Sequence, residues 1–223
     1  MQQPLQFLCL GLSQVHTTEF FPQQLVISAR KEAIGTIGTI GTHYRVSAGN
    51  LTQAGAIQVL GSNTSGQASP FLVMIKDEWW LTVGSDHYDY SAHFHTAHLA
   101  SEVFSKQLCA KVIADQAWRY SDVANHINQI ALKSWIIETS AHNLSVHSRV
   151  AYQDGVLGSL EPISDVLSGL GAKLGSNSVL SCGSVAFIGG IRSAKQFVMQ
   201  LSDPVLNRTI DFRYDIECLT NPI

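Results

Sequence analysis

The residues best suited to chemistry lie in one stretch, residues 84–106, which reads GSDHYDYSAHFHTAHLASEVFSK. Carboxylates stand near its start at Asp86 and Asp89, and the stretch ends in the amine of Lys106. It also holds four of the chain's 9 histidines, namely His87, His93, His95 and His98. Carboxylates, imidazoles and an amine are the usual components of a metal site or of an acid–base site. The stretch therefore predicts a functional site that other segments must complete.

The histidines of this stretch leave two interpretations open. His95 and His98 are three positions apart, so on a helix they would share one face. Imidazole ligands favour zinc, copper, nickel or iron over magnesium, so these side chains could rebuild a metal site of that kind. The other interpretation is a set of exposed or hydrogen-bonded histidines on a loop, because neighbours in sequence need not converge in space.

Composition excludes several classes of function. The chain has 223 residues, of which 45% are hydrophobic and 14% charged, so it predicts a large buried core. Its 14 basic and 17 acidic residues give a net charge of -3 without a basic block. This balance argues against nucleic-acid binding. No apolar run is long enough to span a bilayer, which argues against a membrane protein.

The cysteines indicate a reducing compartment. Cys9, Cys109, Cys182 and Cys218 are scattered along the chain without CxxC spacing. This pattern favours neither a zinc knuckle nor a disulfide framework. Reduced thiols, mostly buried, are expected instead, and with them a cytoplasmic location.

Local patterns predict more strands than helices. Strands are expected at 5–12, 25–29 and 130–138, and a hairpin is expected over 70–84 with its turn at Lys76, Asp77 and Glu78. A helix is expected over 95–106, and shorter ones are expected with Ser121 and Ser164 as N-caps. The helices come singly, without a βαβ rhythm, which favours a β-rich α+β fold with an antiparallel or mixed sheet. We expect a single domain over 1–223, with N-terminal strands and an irregular segment in 1–43 and the core in 44–223.

Six segments occur in an order that is informative. Two of them are WWLTVGSDHYDYSA at 79–92 and SVLSCGSVAFIGGIR at 178–192, and the others are 44–75, 104–112, 150–167 and 201–219. Together they resemble the C-terminal catalytic domain of the fumarylacetoacetate hydrolase superfamily, and most closely an uncharacterised branch of it. The resemblance implies a mixed β-roll or β-sandwich, a homodimer, and hydrolase or lyase activity on a small oxo or diketo acid.

The resemblance also implies a site with a divalent cation, Mg²⁺ or Mn²⁺, held by a Glu-x-Glu pair and an aspartate. Position by position, the aspartate looks like Asp86, and a lysine that assists catalysis looks like Lys106. A Gly-Thr turn that contacts the substrate looks like Gly183-Ser184. Arg45 stands where many relatives have a basic residue near the pocket.

The chain departs from the pattern at the Glu-x-Glu pair, which reads Gln67-Ala68-Ser69. Because affinity for hard cations depends on ligand charge, losing two of three carboxylates should weaken metal binding severely. Two hypotheses follow. One is an enzyme of the hydrolase or lyase class with a degraded metal site. The other is a non-catalytic relative that keeps the fold for small-molecule binding or dimer assembly.

Overall fold

Extended segments dominate the structure, a computed structural model that describes residues 4–10, 15–29, 42–91, 104–139, 147–170 and 174–219. Their strands are, in chain order, β1 (Leu5–Leu10), β2 (Val15–Phe20), β3 (Gln24–Ala29), β4 (Thr42–Val46), β5 (Leu51–Thr52), β6 (Ala56–Val59), β7 (Thr64–Ser65), β8 (Ala68–Ile75), β9 (Glu78–Asp86), β10 (Tyr88–Asp89), β11 (Lys111–Ile113), β12 (Gln116–Arg119), β13 (Ala131–Thr139), β14 (His147–Val156), β15 (Ser178–Ser181), β16 (Gln196–Asp203) and β17 (Arg208–Cys218).

Helices are short in the described ranges. They are α1 (104–107), α2 (Tyr120–Val123) and α3 (Ile163–Leu170), and 3-10 segments occur at Ala48–Asn50, Ala124–Gln129 and Leu157–Ser159. The predicted helix over 95–106 is described only from residue 104 onward. No helix within the described ranges combines the length and apolarity that a membrane crossing requires.

Both predicted helix caps are wrong. Arg119 occupies the N-cap of α2 without a side-chain hydrogen bond, so Ser121 already lies inside the helix. Helix α3 begins at Ile163, and its first backbone bonds reach back to the carbonyl of Pro162. The hydroxyl of Ser164 donates to Asp165 at 3.2 Å. Both helices begin one residue before the predicted serine or earlier, α2 at Tyr120 and α3 at Ile163.

The larger sheet is mixed and has ten strands. Its main order is β2-β1-β12-β9-β8-β15-β3-β4, and β11 pairs with both β9 and β5. Most neighbours are antiparallel, but β1 pairs with β12, β3 with β15 and β5 with β11 in parallel. The mixed, β-rich α+β architecture expected from the sequence is therefore confirmed.

The ten-stranded sheet is buried on both faces and the five-stranded sheet on only one, while β7 and β10 form a separate two-stranded sheet. In β8, the neighbouring residues Phe71 and Leu72 are both fully buried, and each belongs to a different apolar core. In the five-stranded sheet, ordered β14-β13-β16-β17-β6, strand β16 instead alternates between buried and half-buried residues. The first core fills the space between the two sheets, and the second lies on the opposite face of the larger sheet, which is curled.

The hairpin of β8 and β9 supplies the strand that carries Asp86. Its predicted turn is confirmed, with φ angles of 50° at Lys76 and 62° at Asp77. Two consecutive left-handed residues form the tight turn whose twist matches that of the flanking strands. The turn fixes the register, which places Ser69 opposite Gly84 and Ala68 opposite Ser85.

Close packing around this hairpin requires glycine at position 84. A Cβ atom there would lie 2.6 Å from Cε2 of Phe71 and 2.8 Å from Cγ2 of Ile113. We expect Gly84→Ala to lower the free energy of unfolding by about 1–3 kcal/mol, the usual cost of overpacking. Urea denaturation followed by circular dichroism would measure it. Gly55→Ala is the matched control, because a Cβ at Gly55 meets nothing within 4 Å. Equal unfolding midpoints for the two variants would contradict this prediction.

Candidate functional site

A buried carboxylate at the end of β9 lies between two lysines. Asp86 is 2% exposed, and its Oδ2 accepts a hydrogen bond from Nζ of Lys106. Its other oxygen, Oδ1, lies 2.9 Å from Nζ of Lys111. Three separate elements, β9, α1 and β11, thus bring their charges to one point. The structure thus brings together Asp86 and Lys106, two of the residues that the family resemblance singled out.

The two lysines differ in access to solvent. Lys111 lies directly opposite Asp86 in the antiparallel pair of β9 and β11, and its side chain is 0% exposed. Its ammonium group also donates to the backbone carbonyl of His87. The side chain of Lys106 is 10% exposed, and its Nζ lies 5.8 Å from the ring centroid of Tyr88. Lys106 is therefore the member of the cluster that a ligand can reach.

The charges of the cluster keep Asp86 ionised. Burial alone would raise the pKa of Asp86, but the positive charges of Lys106 and Lys111 outweigh it and lower the pKa to about 2. Burial lowers the pKa of Lys111, and the charge of Asp86 opposes this shift. With all three groups charged, one carboxylate faces two ammonium groups. The cluster then carries a net positive charge and would attract an anion.

Gln67 and Ser69 lie on the same face of the sheet as Asp86. The backbone N–H of Asp86 donates to the carbonyl of Gln67 at 2.9 Å, and Ser69 pairs with Gly84, two residues before Asp86. Side chains alternate between the faces of a sheet, so Gln67, Ser69 and Asp86 share a face. The two positions expected to carry carboxylates are thus beside Asp86, and they bring a neutral amide and a hydroxyl.

This donor set does not fit a hard divalent cation. Mg²⁺ and Mn²⁺ need several oxygen ligands with negative charge. Here only Asp86 offers a charge, and both of its oxygens already contact ammonium groups. In the described part of the chain, no three histidine, cysteine, aspartate or glutamate side chains are grouped closely enough to hold a metal ion.

The Gly183-Ser184 turn lies against the same end of β8. The hydroxyl of Ser184 donates to the carbonyl of Ala68 at 2.6 Å and accepts a hydrogen bond from Nε2 of Gln153 at 2.6 Å. Gly183 has a φ of 87°, a backbone conformation that favours glycine. The turn therefore sits next to Gln67 and Ser69, but the hydroxyl proton of Ser184 already has an acceptor in the protein.

The remaining predicted residues lie elsewhere. Arg45 is exposed on β4, and no ion pair or hydrogen bond joins it to Asp86, Lys106 or Ser184, all of which the structure describes. His93, His95 and His98 lie outside the described residues, so their rebuilt metal site stays a hypothesis. Cys109 and Cys182 are free and buried, and burial raises the pKa of both thiols.

His87 belongs to the opposite face of the larger sheet, in a buried polar network. Its Nδ1 lies 2.9 Å from the hydroxyl of Tyr214, which lies 2.8 Å from that of Ser85. Burial, together with the charge of Lys111, lowers the pKa of His87 to about 3, so the ring is neutral at physiological pH. This network links β9 to β17 and so joins the two sheets beneath the charged cluster.

Sequence reasoning missed Lys111 and Tyr214. One signal for Lys111 was available, since a lysine inside the short apolar run KVIA must be buried if that run is a strand. A buried lysine almost always has a charged partner. Tyr214 gave no such signal, because its partners lie in distant strands.

The mixed, curled sheet and its partner sheet define a fumarylacetoacetate hydrolase-like fold, and comparison with solved structures agrees. Fumarylpyruvate hydrolase from Pseudomonas aeruginosa, solved with Mn²⁺ and pyruvate, superposes with a TM-score of 0.62 at 11% identity, covering 98% of this chain and 97% of that one. A fumarylacetoacetate hydrolase family protein from yeast gives 0.64 at 12% identity, covering 90% and 95%. A 5-carboxymethyl-2-hydroxymuconate delta-isomerase from Mycobacterium smegmatis gives 0.65 at 8% identity, covering 91% and 82%.

The chain belongs to the family described as protein of unknown function DUF2848, whose model matches residues 34–214. Curated proteins contain no sequence match to the chain. At 8–13% identity, the structural similarity establishes the fold alone.

Proposed function

We propose that this chain is an enzyme of the hydrolase or lyase class that acts on a small oxo or diketo acid at the Asp86 cluster. The observation that carries the proposal is the positively charged, largely buried group formed by Asp86, Lys106 and Lys111. It lies in a fold that the chain shares with a fumarylpyruvate hydrolase and a 5-carboxymethyl-2-hydroxymuconate delta-isomerase. The names of those two proteins contain their substrates, fumarylpyruvate and 5-carboxymethyl-2-hydroxymuconate. Both compounds carry carboxylates that such a group would attract.

The chemistry suits an ammonium group at the rim of a buried site. In the hydrolysis of a 2,4-dioxo acid, water adds to the C4 carbonyl and the C3–C4 bond breaks. The bonding electrons pass into the enolate of pyruvate, which then takes up a proton at C3. Negative charge thus develops on oxygens next to the substrate carboxylate. Lys106 would stabilise these oxygens, since preorganised charge stabilises a developing oxyanion strongly in a site that excludes water.

The remaining residues would support this reaction. Asp86 would hold the ammonium group of Lys106 in place, and the hydroxyl of Ser184 would hold the Gly183-Ser184 turn against β8, beside the ligand. Arg45 has no role in this proposal, because three strands separate β4 from β9 in the larger sheet. A homodimer and a cytoplasmic location stay predictions from the sequence.

A substrate assay tests the proposal. The purified chain should release pyruvate from fumarylpyruvate or acetylpyruvate, and lactate dehydrogenase with NADH would detect it. Chain denatured before the assay corrects for spontaneous hydrolysis. A folded chain that binds oxalate, a mimic of the enolate, but turns over no oxo acid would contradict the enzyme proposal. That result would favour a non-catalytic binding protein.

A further inference from the structure

Lys111 is a fully buried cation that the proposed reaction does not use directly. Its side chain is 0% exposed, and its Nζ contacts Oδ1 of Asp86 at 2.9 Å and the backbone carbonyl of His87. A lysine is seldom buried completely unless it is paired, because removing its charge from water is costly. The structure provides the pair, and so Lys111 is a fixed part of the site.

The ammonium group of Lys111 lies where a metal ion would have to approach Asp86. The strand register sets Lys111 directly across from Asp86, on the face that also carries Gln67 and Ser69. A divalent cation on Oδ1 would therefore meet a like charge at short range, without the carboxylates that normally offset it. Compared with a Glu-x-Glu pair, Gln67 and Ser69 lack two negative charges. Lys111 brings one positive charge to the same site.

We propose that Lys111 takes the place of a divalent cation, so that the site binds oxo-acid oxygens without metal. Lys106 contacts the ligand, while Lys111 orients Asp86 and places an ammonium group behind it. Lys111 is thus a positioning residue, and its role differs from that of an ordinary core lysine because it determines whether the site can accept a metal. The choice of oxo acids as ligands rests on the proposed function.

The first experiment uses the unmodified chain with oxalate as the probe. Isothermal titration calorimetry is run in EDTA and again in excess MgCl2, and Mn²⁺ binding is measured by electron paramagnetic resonance. After correction for the oxalate that Mg²⁺ complexes in solution, we expect oxalate affinities that agree within about twofold in the two buffers, and no Mn²⁺ binding. Oxalate binding that disappears in EDTA, or no oxalate binding in either buffer, overturns the proposal.

The second experiment asks whether Lys111 itself excludes the metal. Gln67→Glu with Ser69→Glu restores the two carboxylates, and we expect it to bind Mn²⁺ weakly or not at all. Adding Lys111→Met should raise the Mn²⁺ affinity by at least about tenfold, because the repelling charge is gone. Adding Lys133→Met instead is the matched control and should change nothing, since Lys133 is 37% exposed on β13.

The outcomes of the second experiment are decisive in each case. Mn²⁺ binding as tight in the double variant as in the triple variant overturns the proposal, and so does a folded triple variant without Mn²⁺ binding. Circular dichroism and thermal denaturation check the fold. If the triple variant does not fold, the EDTA comparison on the unmodified chain still shows whether oxalate binding requires a metal.

Failure of this inference can be told apart from failure of the proposed function. Turnover of fumarylpyruvate that EDTA abolishes would support the proposed function and contradict the inference of a metal-free site. Oxalate binding in EDTA without turnover of any oxo acid would contradict the proposed function and support the inference of a metal-free site.

Discussion

Replacing Asp86 with asparagine is expected to lower the free energy of unfolding by about 3–5 kcal/mol, the usual cost of removing one partner from a buried ion pair. The variant leaves the ammonium group of Lys111, which is 0% exposed, without a counter-ion. The acceptors that remain, the amide oxygen of the new asparagine and the carbonyl of His87, carry no charge. Urea denaturation monitored by circular dichroism gives the free-energy difference.

Two further variants show whether the loss comes from the unpaired charge. Asp86→Asn combined with Lys111→Met should recover most of the stability, because removing both charges avoids the unpaired ion. Asp154→Asn breaks the exposed pair with Lys133, whose side chains are 55% and 37% exposed, and should cost less than about 1 kcal/mol. A double variant no more stable than Asp86→Asn would show that the loss has another origin.

Removing the ammonium group of Lys106 is expected to reduce kcat/KM for the oxo acid by about 10²–10³, the size of effect seen when one oxyanion-stabilising group is lost. Lys106→Ala leaves Asp86 paired with Lys111, so the fold should survive. Initial rates of pyruvate release at several substrate concentrations would separate kcat from KM.

Lys133→Ala is the matched control for Lys106→Ala, since it removes a lysine of the same charge from an exposed strand position. Its rates should equal those of the unmodified chain. A Lys106→Ala variant that keeps full activity would place the chemistry away from Asp86. A loss of activity accompanied by unfolding would be visible in the circular dichroism spectrum.

Features that depend on local sequence were predictable. The β8–β9 hairpin follows from two β-rich segments around Lys76 and Asp77, and the structure has both strands and the turn. The strand expected over 130–138 is present as β13, where Leu132, Ser134 and Ile136 alternate on one face and are 0–1% exposed. The starts of the helices were less predictable. Serine is a common N-cap residue, but Ser121 and Ser164 both lie inside their helices.

The site was predictable only in part, and for a physical reason. The choice of Asp86 and Lys106 as site residues came from the family resemblance, since nothing in a linear pattern shows that residues 20 positions apart touch. Lys111 was missed because its partner is set by the register between β9 and β11, which depends on the whole sheet. The sequence showed that Gln67 and Ser69 lack carboxylates. It did not show that Lys111 places a positive charge beside Asp86.

The parallel pairing of β3 with β15 has a consequence for the order in which the sheet is completed during synthesis. Gln24 pairs with Ser178, so β3 leaves the ribosome long before this neighbour exists. Strand β8 waits for the same neighbour on its other side, since Val73 pairs with Val179. Until β15 emerges, β3 and β8 each present an unpaired edge, and such edges are templates for aggregation. The strand pair that carries Asp86 thus gains its neighbour on the β8 side only after residues 178–181 have been synthesised.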